Sequence, residues 1–382
     1  MLLENKQIAI VGGGPGGLTL ARLLELKGVR INVYERDADK NTRQQGATLD
    51  LHEGSGLEAI KKAELEKEFY ANYRPNAGRI RVLDNKATIH LDDHIKNEFD
   101  DSRPEIDRGS LRDILINSLK EETIIWDSQF LSMEKQNTGW LLHFKNGKSF
   151  YADIVIGADG VNSKIRSYIT DIKPIYSGIT IVEGNIYNAE KHTPKLWSLI
   201  KGGKIFAFGD EQSLILSTKG EGSLSFYTGC KVAENWVEQS NIDFNSKEQV
   251  FSWFKTTFGS WNDIYQELFA SDEMWFIPRP QYHFPLDQSW TTLSNLTMIG
   301  DAAHRMPPYA GEGANMAMQD AFELAECLTS NKFADIQIAI AYYEKQMLKR
   351  ASEVTQMTLN SIEILHSDDP INQMLSMFNE VK

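Results

Sequence analysis

The feature that most constrains this chain is a glycine cluster set between an apolar run and a helix-patterned one. Gln7-Ile-Ala-Ile-Val-Gly12 is a short apolar stretch that stops at glycines, as a buried parallel strand does. From Leu18 to Lys27 the apolar residues fall at Leu18, Leu20, Ala21, Leu23, Leu24 and Leu26, and Gly28 follows, so this stretch reads as a helix with a glycine end. Ile31–Glu35 is a second strand. The unit is βαβ, and Gly12, Gly14 and Gly17 form GxGxxG at its first turn. Gly12 allows the tight turn, Gly14 lets a pyrophosphate approach the backbone, and Gly17 permits close helix–strand packing. The helix start supplies amide donors and the positive end of its dipole. Pro15, Gly16 and Arg36 belong to the same expected contact set. Glu35, 18 residues after Gly17, suits a ribose hydroxyl and would repel a 2′-phosphate. This segment alone leaves FAD and NAD both open.

Further along, Arg108–Lys120 is helical in spacing. Trp140–Phe144 and Lys148–Ala152 flank Asn146-Gly147, a hairpin signal. From about Ile172 to Trp275 strand-like runs alternate (Ile179–Ile186, Lys204–Phe208, Ser213–Ser217, Ser223–Thr228), with a helical stretch near Glu248–Phe258. This aromatic-rich part reads as a mostly antiparallel sheet. Leu296–Gly300 is a buried strand, Gly313–Thr329 a helix, and Asp335–Leu365 a long amphipathic helix without Pro or Gly. Nucleotide-domain features thus stand at both ends, with a β-rich insertion between them. At 382 residues the chain is long enough for two domains.

Two more strand–turn motifs carry possible chemistry. Asp153–Gly157 leads into Ala-Asp159-Gly160 and a helix start at Asn162 or Ser163; Asp159 is either a cofactor contact or an ordinary turn former. Met298-Ile-Gly300-Asp301 leads through Pro307, Pro308, Tyr309 and Gly311 to a helix start at Gly313, where the dipole favours negative charge on a reduced flavin ring. Asp301 is either a ribityl acceptor or an N-cap, and His304 reads more simply as a structural histidine than a catalytic one. Pro308, Gly311, Gly313, Ala314 and Asn315 complete the expected cofactor contacts.

Taken together, Gly12–Gly17 with Glu35, Asp159-Gly160 and Gly300-Asp301 resemble the three fingerprints of the class A, single-component flavin monooxygenases, whose type is the para-hydroxybenzoate hydroxylase fold. The resemblance implies an α/β fold: a Rossmann-like FAD-binding domain, an inserted β-rich substrate domain, and a long C-terminal bridging helix. Residues 1–72, 98–173 and 274–330 are assigned to the first, 73–97 and 174–273 to the second, and 331–382 to the third. It also implies bound FAD, NADPH or NADH as a transient reductant, and O₂ as co-substrate, with hydroxylation through a flavin C4a-hydroperoxide. No side-chain nucleophile is then needed. A reductase or dehydrogenase on the same fold, or a flavin redox sensor without turnover, stay open beside it.

Arg43–Gly56, Pro104–Arg112 and His304–Gly311 are similar, more narrowly, to the tetracycline-inactivating members of that family. That likeness implies that Asp50, Arg108 and Asp301 contact FAD and that Arg43 sits where NADPH is bound. Arg108, opening a helix, also fits a cation near the flavin or a surface ion pair, and Arg112 one turn on joins the expected contacts. On the substrate side the pattern departs. Glu183, Lys204 and Ser225 hold the positions of a Gln, an Arg and a His, and Tyr309 that of a Phe. Lys keeps the charge without the planar fork. Phe206, Pro307, Ala310 and Gly311 complete the expected substrate contacts, and Phe206, Phe208, Phe226, Tyr227 and Tyr282 an aromatic wall. Tetracyclines, and a different or broader aromatic or polyketide-like substrate, both remain open.

Composition sets the exclusions. A net charge of −13 leaves no basic excess to displace counterions from nucleic acid. Two distant cysteines, Cys230 and Cys327, make neither a disulfide framework nor a metal-ligand spacing, so no metal is expected. A first strand near Gln7 and the lack of a long apolar run lead us to expect a soluble, cytoplasmic monomer without a membrane partner.

Overall fold

The computed structural model describes residues 2–42, 48–95 and 102–380, the last four as backbone only. Arg43, the expected NADPH contact, lies outside the described residues.

Strand β1 (Ile8–Val11) is buried at every position and pairs in parallel with β2 (Ile31–Tyr34) on one side and Ile154–Gly157 on the other. Leu296–Met298 and Ile124–Ile125 complete a five-stranded sheet, in the order Leu296–Met298, Ile154–Gly157, β1, β2, Ile124–Ile125. The unbroken apolar runs of these strands follow from burial on both faces. Helix α1 (Pro15–Leu26) begins three residues before the expected Leu18, because Pro15 at its first turn presets φ and the buried Gly16 and Gly17 join the helix. It ends in a Schellman arrangement: Gly28, at φ 72°, donates to Glu25 O (2.9 Å) and Val29 to Leu24 O (3.0 Å). Hairpin strands Gly139–Phe144 and Ser149–Ala152 join Phe130–Gln136 in a three-stranded antiparallel sheet.

The β-rich region is a seven-stranded sheet, in the order Met274–His283, Ile175–Ile186, Leu224–Lys231, Gln212–Thr218, Lys204–Gly209, Ile80–Asp84, Ile89–Asp92. All its pairs are antiparallel except Lys204–Gly209 with Ile80–Asp84. Met274–His283 hydrogen-bonds along Ile175–Ile186, so this sheet continues past the expected boundary at 273. Alternation divides its side chains between two faces. Val182, Ile186, Leu214, Leu216 and Phe226 pack with Val250 and Phe254 of the Lys247–Thr257 helix and with Leu268 and Phe269. Ile179, Ile181 and Tyr227 face the other way, toward Tyr309 and Ile362. Phe226 therefore leaves the expected aromatic wall: it stacks edge-on against Phe269 and Phe276, in space left by Gly184.

Helix Ile336–Leu365, capped by Asp335 accepting from Ile338 N (2.9 Å), bridges the two sheets. Near its start the Tyr343 hydroxyl donates to Met298 O (3.0 Å), and Glu344 accepts from Thr292 (2.6 Å) and Thr297 (2.8 Å) beside the parallel sheet. Near its end Ile362 packs on Ile179 and Ile181 of the large sheet. The fold is the α/β architecture expected. Among the described residues no helix is long and apolar enough to cross a membrane.

Candidate functional site

A cleft of about 610 Å³ runs along the carboxyl ends of the parallel strands, the usual ligand position in such sheets. It brings the three sequence motifs together. The glycine turn Gly12–Gly17, the Ala158–Gly160 turn, and the Gly300-Asp301 and Pro307–Ala314 segments all line it.

The glycine turn is built as its spacing requires. A Cβ on Gly12, at φ 115°, would lie 2.2 Å from Ala158 O, and one on Gly17 would lie 2.1 Å from Gly12 O. At Gly14 the same test meets no described atom within 4 Å. The turn is closed toward the protein and open toward the cleft. Glu35 is buried and lines the cleft; its Oε2 accepts from Gly13 N (2.6 Å) and its Oε1 from Asp37 N (3.0 Å). The expected ribose acceptor thus also holds the glycine turn in place. Arg36 lines the cleft beside it.

Asp159 lines the cleft and also caps its own turn. Its Oδ1 accepts from Ser163 Oγ (2.5 Å), and its Oδ2 from Lys164 N (2.8 Å) and Ile165 N (3.3 Å). Burial pushes its carboxyl above the usual range against these hydrogen bonds. Arg166, which sequence reasoning passed over, joins the second motif to the third. Its guanidinium donates to Ala302 O (3.2 Å) and Ala303 O (3.0 Å) and lies 3.5 Å over the Phe284 ring; burial lowers its pKa to about 10.

In the third motif Gly300, at φ 59°, and not Asp301, is the N-cap of Asp301–His304. Asp301 is left facing the cleft, where burial raises its pKa against the opposing charges of His304, Arg108 and Arg305. Arg108 lines the cleft too, and its buried Nε has no hydrogen-bond partner among the described residues. His304 turns inward: Nε2 meets Asp320 Oδ2 at 2.5 Å, while Asp320 also accepts from Gly300 N (2.8 Å) and Arg350 (2.7 Å). It is a structural histidine bracing the Gly300 turn.

Asp50, Arg112 and Asn315 stand behind the cleft wall. Arg112 pairs with Asp37 (3.0 Å) and donates to Lys40 O (2.8 Å). Asn315 links Asp50 O and His52 N, each at 2.9 Å. Of the expected substrate residues, Pro307 and Gly311 line the cleft, with Pro308 beside them. Glu183 is ion-paired with Arg279 and accepts from Tyr227 (3.1 Å). Lys204 pairs with the buried Glu105, and Ser225 donates to Ser217 O (3.3 Å). Phe206 and Ala310 are half-buried. The Tyr309 hydroxyl turns toward Ser213 and His366 over Gly229, where a Cβ would meet these groups at 2.4, 2.3 and 2.8 Å. Arg279, Ser128, Gln129 and Phe130 line the cleft without any motif to announce them. They reach it through tertiary folding alone.

The cleft fits FAD. The open space at Gly14, the starts of two helices at Pro15 and Gly313, and the facing Asp301 and Arg108 are what a dinucleotide with a flavin head requires. The chain belongs to the FAD binding domain family, which matches residues 5–247 and 287–358. It is 28% identical over 426 residues to the monooxygenase penA of Penicillium thymicola, covering 96% of this chain and 97% of that one. It is 26% identical over 384 residues to 6-hydroxynicotinate 3-monooxygenase of Pseudomonas fluorescens, covering 96% and 94%. The crystal structure of tetracycline destructase Tet(55) superposes with a TM-score of 0.79 over 100% of this chain and 96% of that one, at 19% identity, a likeness of fold. The protein is an FAD-dependent monooxygenase of this family.

Proposed function

We propose that this enzyme uses NADPH or NADH and O₂ to hydroxylate a small aromatic or polyketide-like substrate. The observation that carries the reading is the convergence of all three fingerprint turns on one cleft whose lining also takes in Arg279 of the seven-stranded sheet. Bound FAD supplies the redox and oxygen-activating chemistry. The chain's part is to hold it and exclude water. Gly12–Gly17 and the α1 amides take the pyrophosphate, Glu35 the ribose, Asp301 the ribityl hydroxyls, and the Gly313 helix start the pyrimidine edge. Arg43 is assigned to the reductant.

On the substrate side Lys204 and Glu105 satisfy one another, while Glu183 takes up only the Nε of Arg279. Arg279 is half-exposed and lines the cleft, so it remains the cation for a carboxylate, phenolate or enolate of the substrate. The relative named for 6-hydroxynicotinate and the fold-mate named for tetracycline bracket the candidates. We assign the protein to the cytoplasm as a monomer, with tetracycline inactivation one candidate activity.

Purified holoenzyme with NADPH or NADH, ¹⁸O₂ and a panel of hydroxylated N-heteroaromatics, phenolic acids and tetracyclines tests the reading. Gain of one labelled oxygen by a panel member supports it. Reductant-driven reduction of an acceptor without label in any product would sink it in favour of a reductase.

A further inference from the structure

His52 belongs to none of the cofactor contacts above, yet a carboxylate holds each of its ring nitrogens. Its Nε2 lies 2.8 Å from Asp50 Oδ2 and its Nδ1 3.0 Å from Glu312 Oε1. A neutral imidazole has one donor and one acceptor nitrogen, so it serves one carboxylate and presents a lone pair to the other. Carboxylates on both nitrogens require the doubly protonated ring. Both carboxylates border the cleft wall. Leu49, Gly311 and Gly313 line it, which places Asp50 and Glu312 one residue away on each side, and Asp50 Oδ1 lies 3.9 Å from where a Cβ on Gly311 would sit. The fully buried Asn315 fixes the backbone of Asp50 and His52. Lys204 also acts on Asp50, but its own charge is matched by Glu105.

We propose that His52 is a positioning residue for bound FAD. Its imidazolium ties the Leu49–Leu51 segment to the helix start at Gly313, and it offsets two carboxylates that would otherwise repel the negative charge a flavin gains on reduction. The proposal rests on the FAD assignment. Burial opposes the charge on His52, but Asp50 and Glu312 outweigh it and raise its pKa to about 9, so the cation is present at neutral pH.

Charge and structure predict different signs. With the imidazolium gone, two carboxylates stand unneutralised behind the cleft wall; with Glu312 neutralised, the local charge turns less negative. The test is the flavin midpoint potential, with Kd values for oxidised and reduced FAD, in the wild type, H52Q, E312Q and the double variant. In H52Q, reduced FAD should weaken about tenfold more than oxidised FAD, which for a two-electron couple is a shift of about 30 mV to more negative potential. E312Q should shift the potential the opposite way, and the double variant should return close to the wild type. Shifts of the same sign in both single variants, or an unmoved potential in both, would overturn the proposal. If H52Q does not retain flavin, E312Q decides alone: a positive shift supports the proposal, and a zero or negative one overturns it. A wild-type protein that takes up no FAD would instead overturn the FAD assignment, and this proposal with it.

Discussion

Gly12 and Gly14 stand two residues apart in one turn and fail in different ways when a methyl group is added. At Gly12 the new Cβ would sit 2.2 Å from Ala158 O at φ 115°, so Gly12→Ala should strain the empty protein by about 1–3 kcal/mol as well as abolish flavin binding. At Gly14 no described atom stands within 4 Å. Gly14→Ala should therefore leave the melting temperature of the flavin-free protein unchanged while weakening FAD at least about tenfold, near 1.4 kcal/mol. Equal destabilisation of both flavin-free variants, measured by thermal denaturation, would show Gly14 to be as enclosed as Gly12, and an unchanged FAD Kd in Gly14→Ala would show that the gap has no ligand to admit. At His52 the sign of a pH effect follows from its pKa, raised from 6.5 to about 9 against burial by Asp50 and Glu312, with Lys204 the nearby cation. A raised folded-state pKa contributes stability that is complete below pH 6.5 and lost as pH rises through 9. Denaturant midpoints at pH 6.5 and 9.5 should thus fall more for the wild type than for H52Q; parallel falls would contradict it.

Elements are joined here by buried charge as much as by apolar contact. Asp320, on the Gly313–Thr329 helix, holds the Gly300 turn through its N–H, His304 on the next turn, and Arg350 on the long helix. Burial opposes charge on both Asp320 and His304, but each partner outweighs it, lowering the pKa of the first and raising that of the second. Asp320→Ala should destabilise by about 3–5 kcal/mol, since it leaves the buried His304 and the Gly300 N–H without their acceptor, while Arg350 keeps Glu323 (2.9 Å). A loss under about 1 kcal/mol in equilibrium unfolding would show the network to be dispensable. The elements were legible in the sequence where periodicity and punctuation agreed, as at β1, α1, the Asn146-Gly147 hairpin and the Asp335-capped helix. The short helices Gly56–Lys62 and Glu66–Asn72 were not, because one or two turns carry too little periodicity to stand out. Nor was the direction of Phe226: strand alternation tells which residues share a face, not which face meets the cleft.

At the scale of the molecule, the cleft draws its wall from segments scattered from Val11 to Ala317, so a ligand filling it should stabilise the assembly as a whole. FAD at 100 times its Kd should add about 2.7 kcal/mol to the unfolding free energy of the flavin-free protein. Calorimetry with and without FAD measures this. A second transition left unmoved by FAD would show that the seven-stranded sheet unfolds apart from the flavin site. The helix Ile336–Leu365 argues for a single response, since it is hydrogen-bonded beside the parallel sheet at Tyr343 and Glu344 and packed on the large sheet at Ile362.

What the sequence determined by itself is the set of three turns that line the cleft. Glycine spacing, strand-terminal acids and helix starts are local rules, each set by the backbone geometry of a tight strand-to-helix turn. Residues such as Gly12, Gly17 and Gly300 could be assigned from their neighbours along the chain. The pairing of the residues expected on the substrate side was decided only by tertiary structure. Glu183 meets Arg279, Lys204 meets Glu105, and Tyr309 turns to Ser213 and His366 across sequence separations that no local pattern encodes. Whether a side chain offers its charge to a ligand depends on which partner the fold has already brought to it. His52 shows the same limit: its neighbour Asp50 could be read from the sequence, but Glu312, the second carboxylate that makes it a cation, arrives from the far end of the chain.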